Sequence, residues 1–284
     1  MIVNMKDMLN KAKAEGYGIG FFNAVNIEMA RAIIETAEEL NKPVIIGTAE
    51  ILLPVNELEN VADYLIPMAK RASVPVCVHY DHGLTYERCM QALDLGFTSI
   101  MYDCSTLPYE ENIRCVADMV SICHEKDVTV EGELGHVGDN EGKGKLKKPE
   151  DFYTDPDQAL DYVKRTGVDA LAVAVGNAHG DYKFSPRLDF ERIATISGKT
   201  GIPLVLHGGS GLSDDDFKRA VKSGICKINI FTDVDKAGKK GVENALKDGV
   251  TTITGMIPYE INAIKSVVRK KIELFSNIMN CIEC

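Results

Sequence analysis

The sequence predicts one (β/α)8 barrel, or TIM barrel, that spans all 284 residues as a single domain with an extra C-terminal helix. Two observations support this fold class. Eight short apolar segments rich in β-branched residues alternate with eight helical patterns. The strand segments show no alternation of polar and apolar residues, which is typical of parallel strands buried on both faces. A closed barrel is the simplest arrangement of such repeating units.

The predicted elements follow one another along the whole chain. The strands cover Tyr17–Phe22, Val44–Gly47, Val74–His79, Ser99–Tyr102, Val128–Glu133, Ala170–Val175, Pro203–His207 and Lys227–Ile230. The helices after them cover Glu28–Leu40, Asn56–Arg71, Tyr86–Leu95, Glu110–Lys126, Pro156–Thr166, Asp189–Gly198, Asp214–Ser223 and Asp233–Lys247, and a last helix covers Pro258–Met279. Glycines stand before four strands, where each preceding helix must end, at positions Gly96, Gly167, Gly201 and Gly224.

An open, doubly wound sheet is the alternative fold. Such a sheet needs a switch point in its strand order and usually has a glycine-rich turn after the first strand. The corresponding turn here, Phe22–Asn26, contains no glycine. The barrel is therefore the favoured architecture.

One connection is longer and more polar than the others. Residues 134–155 lie between the fifth strand and its helix and are rich in glycine and lysine. Loops of this length in compact domains usually carry function. We predict a mobile active-site loop at 134–155.

Composition and charge exclude several classes of function. The chain is 45% hydrophobic and 26% charged, which is sufficient for a large core. A formal net charge of -10 disfavours general binding to nucleic acid or to a membrane surface. No stretch reaches the roughly 18 apolar residues of a spanning helix, and we recognise no apolar leader. We expect a cytoplasmic protein with neither nucleic acid nor membrane as a partner.

The end of the third strand carries the strongest signal for chemistry. The apolar run Val74–Val78 is followed by His79, Asp81 and His82, and two further histidines, His179 and His207, also follow apolar runs. Active sites of barrels form at the carboxyl ends of the strands. Three imidazoles with carboxylates beside them suit zinc or a similar divalent ion. The alternative is that the histidines only form hydrogen bonds in a polar barrel mouth. His79 lies within the strand and is expected to support the site rather than bind the metal.

A second feature indicates an anion site. The turn Gly208–Gly211 follows the seventh strand and precedes a helix, and backbone amides in such a turn bind phosphate. Lys183 and the end of the eighth strand, Asn229–Thr232, can reach the same place. An ordinary tight turn is the alternative.

These residues resemble signatures of the zinc-dependent class II aldolases of the fructose- and tagatose-bisphosphate type, and the similarity covers nearly the full length. The matching segments are Val78-His79-Tyr80-Asp81-His82-Gly83, Val130–Gly138, Gly176–Lys183, Leu206-His207-Gly208-Gly209-Ser210-Gly211 and Lys227-Ile228-Asn229-Ile230.

The resemblance implies a role for each matching residue. It implies that His82, His179 and His207 bind the catalytic zinc, that Glu133 holds the metal in a resting position, and that Asp81 is the general acid/base. It also implies that Gly180, Lys183, Gly208, Ser210, Asn229 and Thr232 contact phosphate and dihydroxyacetone, and that Asn23 and Thr48 lie near the substrate. It further suggests a homodimer or homotetramer, a place in carbohydrate metabolism such as glycolysis, and a monovalent cation as a candidate second cofactor.

The sequence departs from the family in two places. Fructose-bisphosphate enzymes commonly have an aspartate between the asparagine and threonine of the eighth strand, and tagatose-type enzymes a small residue, where this chain has Phe231. The loop after the second signature often carries an adjacent acidic pair, where this chain has Asn140-Glu141. We predict Glu141 as the loop acid that protonates the carbanion.

The predicted function is reversible aldol cleavage of fructose- or tagatose-1,6-bisphosphate to dihydroxyacetone phosphate and glyceraldehyde 3-phosphate. Four alternatives remain: an aldolase of this class for another phosphorylated ketose, a metal-dependent hydrolase, a lysine Schiff-base aldolase, and a non-catalytic binder of sugar phosphates. Lys227 is expected at the wrong end of the barrel for a Schiff base, and Lys183 is assigned to phosphate.

Overall fold

The computed structural model of the protein describes residues 1–135, 138–139, 153–180 and 186–276, with the backbone alone at Gly138, Asp139 and His179. The strands are β1 (Ile19–Asn23), β2 (Val44–Ala49), β3 (Val76–Gly83), β4 (Ser99–Tyr102), β5 (Thr129–Leu134), β6 (Gly138–Asp139), β7 (Ala170–Val173), β8 (Ala178–His179), β9 (Leu204–Leu206) and β10 (Ile225–Ile230). Eight of them close a parallel barrel in the order β1-β10-β9-β7-β5-β4-β3-β2. The predicted fold class is therefore confirmed.

Helices surround the barrel and alternate with its strands. They are α1 (Met5–Glu15), α2 (Ile27–Leu40), α3 (Leu58–Arg71), α4 (Tyr86–Leu95), α5 (Tyr109–Glu125), α6 (Pro156–Thr166), α7 (Phe190–Thr200), α8 (Asp214–Ser223), α9 (Thr232–Lys247) and α10 (Ile253–Ser276). A 3-10 turn, Glu50–Leu52, was not predicted and follows β2. Gly96, Gly167 and Gly201 end their helices in the left-handed conformation, as expected.

Strand β3 is longer than predicted, and this changes where the polar residues lie. The expected end at His79 is wrong, because β3 pairs with β2 as far as Asp81 and with β4 at Gly83. The pairing with β4 shifts register between Tyr80 and Gly83, which is the mark of a bulge. Asp81 and His82 therefore stand on a paired strand instead of in a loop.

The barrel interior has an apolar lower layer. It contains Phe21, Ile45, Cys77 and Val205, and helix α1 packs against it from below with its buried face. Polar residues occupy the layers above. Successive inward positions on a strand are two residues apart, so one strand contributes side chains to more than one layer. The buried members of these upper layers are Asn23, His79, Asp81, Glu131, Glu133, His207, Lys227 and Asn229.

The outer layer ends in helix α10, which packs against α9 and α2. We predicted a start at Pro258, but the helix begins at Ile253. Pro258 therefore lies inside the helix, in its second turn, where proline removes one hydrogen bond of the helix backbone. The predicted end at Met279 lies outside the described residues. Within the described part of the chain, none of the helices has the length and apolar character needed to cross a membrane.

The predicted loop 134–155 is described at its two ends and at β6. Thr154 holds the C-terminal end in place: its hydroxyl hydrogen-bonds the carbonyl of Leu134 and accepts the N–H of Ala174 at 2.9 Å. Strand β6 pairs with β8, with Asp139 opposite His179, so this connection approaches the one after β7. The mobility of the loop stays a prediction.

We predict that helix α1 contributes to stability as the floor of the barrel. Leu9 on this helix is fully buried, so Leu9→Ala should lower the free energy of unfolding by about 2–5 kcal/mol through lost burial and an unfilled cavity. Urea denaturation followed by circular dichroism measures this. The control is Lys11→Ala on the exposed face of the same helix, which should change it by less than about 0.5 kcal/mol. Equal losses in the two variants would contradict the prediction.

Candidate active site

The centre of the site is the carboxylate of Asp81, which is 2% exposed. The side-chain amide of Asn23 donates to its Oδ2 at 3.1 Å, and the amide of Asn229 donates to its Oδ1 at 3.2 Å. These donors come from β1 and β10, the two strands that meet where the barrel closes. Both oxygens of Asp81 are thereby held in a fixed plane.

His82 takes its orientation from the bulge in β3. Its φ angle is +42°, a left-handed conformation that a residue other than glycine seldom adopts. Its Nδ1 lies 2.8 Å from Oδ2 of Asp103, which follows β4. The carboxylate fixes the ring, so Nε2 is the donor atom that His82 would offer to a metal.

His207 follows β9 and is fully buried between two carboxylates of β5. Its Nε2 lies 2.9 Å from Oε1 of Glu131, and its Nδ1 lies 3.4 Å from Oε2 of Glu133. The ring centroids of His207 and His82 are 4.6 Å apart. A carboxylate therefore supports one nitrogen of each imidazole, and the other nitrogen is directed toward the site.

The electrostatics of the site follow from burial and from these neighbours. Burial alone would raise the pKa of Asp81, but His82, His79 and Lys227 together hold that pKa well below its usual range. Burial opposes the charged form of His82, yet Asp81, Asp103 and Glu133 raise its pKa to about 10. The pKa of His207 is lowered, first by burial and then by repulsion from His82. In the metal-free chain, His82 thus holds a proton that a metal ion would displace.

The donor set fits a divalent metal ion. One donor atom from each of Asp81, His82 and His207 lies within 4.8 Å of the other two, and His82, Asp103 and Glu133 form a second such group. Neutral imidazole and carboxylate are the ligands that zinc and related ions take at catalytic sites. The carboxylates behind the imidazoles are the outer partners that metal-binding histidines normally have. A metal bound by His82 and His207, with Glu133 beside it, therefore suits the geometry.

The predicted phosphate region lies between the ends of β9 and β10. Gly208 has a φ angle of +64°, and a Cβ atom there would clash with the carbonyl oxygen of Ala178, so only glycine fits. The Oγ of Ser210 accepts the N–H of Asp233 at 3.2 Å, which ties this turn to the first residues of α9, where Thr232 lies. The turn and the start of α9 therefore adjoin each other.

Three buried polar atoms stand around the mouth without a hydrogen-bond partner in the part of the chain that the structure describes. They are Oδ1 of Asn23, Oγ1 of Thr48 and Oδ1 of Asn229. Unpaired buried polar atoms are unfavourable in a native protein. A bound molecule with hydroxyl groups would satisfy them.

Several predicted residues cannot be placed. Glu141, Lys183 and the side chain of His179 lie outside the described residues. The backbone of His179 lies on β8, and Gly180, with a φ angle of +76°, follows it at an exposed position. Their roles stay predictions.

Three residues of the site were not assigned a role from the sequence. Asp103 supports His82, Glu131 supports His207, and the Nζ of Lys227 lies 2.9 Å from Oε2 of Glu131. Lys227 was expected at the other end of the barrel, and its backbone does pair with Ile19 at the start of β1, but its side chain extends through the interior and reaches Glu131. The spacing of two between Glu131 and Glu133, and between Lys227 and Asn229, was the available signal.

Comparison with known proteins identifies relatives of the chain. A family model described as class-II fructose-bisphosphate aldolase matches residues 3–279. The solved structure of the YdjI aldolase from Escherichia coli K12 is similar, with 36% identity, 99% of both chains covered and a TM-score of 0.88. A putative fructose-1,6-biphosphate aldolase from Coccidioides immitis is 28% identical over 96% of both chains, with a TM-score of 0.86. The fructose-bisphosphate aldolase of Campylobacter jejuni, 24% identical over 99% of this chain and 96% of its own, shares the fold with a TM-score of 0.80.

We predict that Asp103 is needed for tight metal binding. Asp103→Asn replaces the carboxylate that fixes His82, so Zn²⁺ affinity should fall about 10–100-fold. Competition between the apoprotein and a chromophoric chelator measures the dissociation constant. The control is Asp94→Asn, which removes an exposed carboxylate paired with Lys126. Equal Zn²⁺ affinity in Asp103→Asn and Asp94→Asn would show that Asp103 does not support the metal site.

Proposed function

We propose that this chain, which belongs to the class-II fructose-bisphosphate aldolase family, catalyses the zinc-dependent, reversible aldol cleavage of a ketose 1,6-bisphosphate. The substrate is fructose- or tagatose-1,6-bisphosphate, and the products are dihydroxyacetone phosphate and glyceraldehyde 3-phosphate. The observation that carries the proposal is the carboxylate of Asp81, held by two amides beside the imidazoles of His82 and His207. Such a group can accept a proton beside the position where these imidazoles would hold a metal.

Asp81 performs the proton transfer that opens the carbon chain. One of its oxygens takes the proton of the C4 hydroxyl, the O–H electrons form the new carbonyl, and the C3–C4 bond breaks with its electron pair on C3. His82 and His207, together with His179 as we propose, would hold a divalent ion, and that ion would supply the Lewis acidity that stabilises the electron pair on C3. A proton from the loop acid, for which we propose Glu141, then completes dihydroxyacetone phosphate.

The remaining polar residues bind and orient the substrate. The acceptor atoms of Asn23, Thr48 and Asn229 suit hydroxyl groups of a sugar, and their burial makes each unmade hydrogen bond unfavourable. Gly208 and Ser210, with Thr232 at the start of α9, suit a phosphate group. We place Lys183 and Gly180 at the same phosphate, and we propose a homodimer or homotetramer as the assembly.

The contacts of Lys227 argue against a Schiff-base mechanism. Its Nζ is paired with Glu131 and lies 4.6 Å from the centre of the Phe21 ring, in a side chain with 0% exposure. An amine must be deprotonated and reachable to attack a carbonyl. Lys227 is therefore poorly suited to form a Schiff base.

A second candidate function is the same reaction on another phosphorylated ketose. Phe231 is half-buried between the end of β10 and Thr232, where this family commonly has an aspartate or a small residue. An apolar ring offers no hydrogen bond to a hydroxyl and fills the space that a small residue would leave open. The identity of the sugar therefore depends on this position.

We predict that Asp81→Ala abolishes cleavage without removing the metal. Loss of a general base should lower kcat by about 10²–10⁴-fold. A coupled assay of zinc-loaded enzyme, with zinc content from plasma mass spectrometry, measures both quantities. Asp215→Ala, an exposed carboxylate on α8, serves as the control. Unchanged turnover in Asp81→Ala would show that the assigned base is wrong, and incorporation of solvent oxygen into a single cleaved product would indicate a hydrolase instead.

We predict that Phe231 selects among ketose phosphates. The wild type should be compared with Phe231→Ala on fructose- and tagatose-1,6-bisphosphate, fructose 1-phosphate and longer ketose phosphates. Opening the space beside Thr232 should change the ratios of kcat/KM between these substrates about tenfold or more. Leu246→Ala, at the other end of α9 and 57% exposed, should leave them unchanged. Identical ratios in all three proteins would rule out this role for Phe231.

A further inference from the structure

A fully buried lysine lies directly beneath the candidate active site. Lys227 stands on β10, where it pairs with Ile19 of β1 and Val205 of β9, and its side chain is enclosed by the barrel. Its Nζ lies 2.9 Å from Oε2 of Glu131 and 4.6 Å from the centre of the Phe21 ring. Burying a lysine and a glutamate together is unfavourable unless their geometry is well satisfied.

Glu131 connects this lysine to a predicted metal ligand. One of its oxygens, Oε2, contacts Lys227, and the other, Oε1, lies 2.9 Å from Nε2 of His207. The carboxylate thus joins a cation on β10 to an imidazole after β9. Because Oε1 accepts the hydrogen of Nε2, the Nδ1 atom of His207 is the one presented to the site.

His79 completes the surroundings of the lysine. Its Nε2 lies 3.5 Å from Nζ of Lys227 and 3.7 Å from both Oδ1 of Asp81 and Oε2 of Glu131. Its Nδ1 is held by Ser99 at 2.8 Å. Lys227 is therefore the cation beside Glu131, and His79 contacts both this lysine and Asp81. Neither the proton transfer nor metal ligation uses the position of Lys227.

We infer that Lys227 is a positioning residue of the metal site. It holds the carboxylate of Glu131 in the orientation that supports His207, so that His207 presents Nδ1 to the metal. This inference rests on the proposed function, because it requires a metal at His207. Lys227 itself touches neither the metal nor the reacting atoms.

The direction in which Zn²⁺ affinity changes when Lys227 is replaced distinguishes this positioning role from a simple effect of charge. A lysine that acted only through its positive charge would repel a divalent cation, so its removal would tighten metal binding. A lysine that orients Glu131 has the opposite effect. In Lys227→Met the carboxylate loses the partner of Oε2, and the hydrogen bond to His207 loses its fixed geometry. Zn²⁺ affinity should then fall about 10–100-fold, as is typical when an outer partner of a metal ligand is lost.

The experiment measures Zn²⁺ binding to the full-length apoprotein by competition with a chromophoric chelator, independently of turnover. The key comparison is Lys227→Met against the double variant Lys227→Met/Glu131→Gln. The double variant lacks both charges of the buried ion pair, so no carboxylate is left without its cation. The side-chain amide oxygen that Glu131→Gln introduces can still accept the hydrogen of His207 Nε2. We expect the double variant to regain most of the affinity lost in Lys227→Met.

The fold supplies a matched control. Lys271 on α10 also lies 2.9 Å from a carboxylate, that of Asp233, and 4.6 Å from the centre of a phenyl ring, that of Phe217. It lies in the helical layer, so Lys271→Met removes the same contacts away from His207. Zn²⁺ affinity in Lys271→Met should stay within about twofold of the wild type, whatever happens to its melting temperature.

Some variants can lose stability, and a second pair keeps the test decisive. If Lys227→Met does not fold, Lys227→Met/Glu131→Gln is compared with Lys227→Met/Glu131→Ala, which has the same charge but no acceptor for His207. The variant with the Glu131→Gln substitution should bind Zn²⁺ at least about tenfold more tightly. Equal affinity in this pair overturns the inference. Tighter or unchanged binding in a folded Lys227→Met, or no recovery in Lys227→Met/Glu131→Gln, does the same.

Failure of this inference differs from failure of the proposed function. If the wild type binds Zn²⁺ and cleaves ketose phosphates but Lys227→Met binds Zn²⁺ as tightly, only the positioning role is wrong. If the wild type binds Zn²⁺ and Lys227→Met loses affinity, but no ketose phosphate is cleaved, only the proposed reaction is wrong. A wild-type apoprotein that binds no Zn²⁺ overturns both.

Discussion

The site depends on one constraint, the enclosed interior of the closed barrel. Closure directs alternate residues of each strand into a narrow space from which water is largely excluded. In the lower layer this space is filled by apolar side chains such as Phe21 and Val205. In the upper layers it holds carboxylates and imidazoles, which are stable there because each is paired or accepts hydrogen bonds. Two examples are Asp81, which accepts hydrogen bonds from two amides, and Glu131, which contacts both Lys227 and His207.

The pairing of each imidazole with a carboxylate determines which ring nitrogen faces the candidate metal position. His82 and His207 come from β3 and β9, and the carboxylates behind them come from the β4 end and from β5. Each carboxylate determines which ring nitrogen faces inward, so the register of four strands together defines one metal position. The bulge at His82 is part of this arrangement, because a regular strand would direct that side chain elsewhere.

The part of the site around Asp81 differs in structure from the part that we propose binds phosphate. The residues around Asp81 lie on strands and are held by buried contacts, whereas the phosphate side is built from the turns at Gly208 and Ser210 and the start of α9. Membership in the aldolase family is shown by the family model that matches residues 3–279. We propose that substrate choice belongs to the part that binds phosphate, where this chain has Phe231. Barrel enzymes share a scaffold and differ in the loops at the carboxyl ends of the strands, so their function is determined by the site and not by the fold.

The sequence by itself determined the barrel and the order of its elements, and it predicted Asp81, His82 and His207, which the structure brings together. These features depend on local patterns, namely apolar segments at regular spacing with polar residues after them. Local patterns can be recognised from the sequence alone. Only the tertiary structure decided that β3 continues to Gly83, that Asn23 and Asn229 hold Asp81, and that Lys227 reaches Glu131. These pairs are separated by 58 to 148 residues or depend on strand register, and no pattern within one segment reports which side chains a closed barrel brings together.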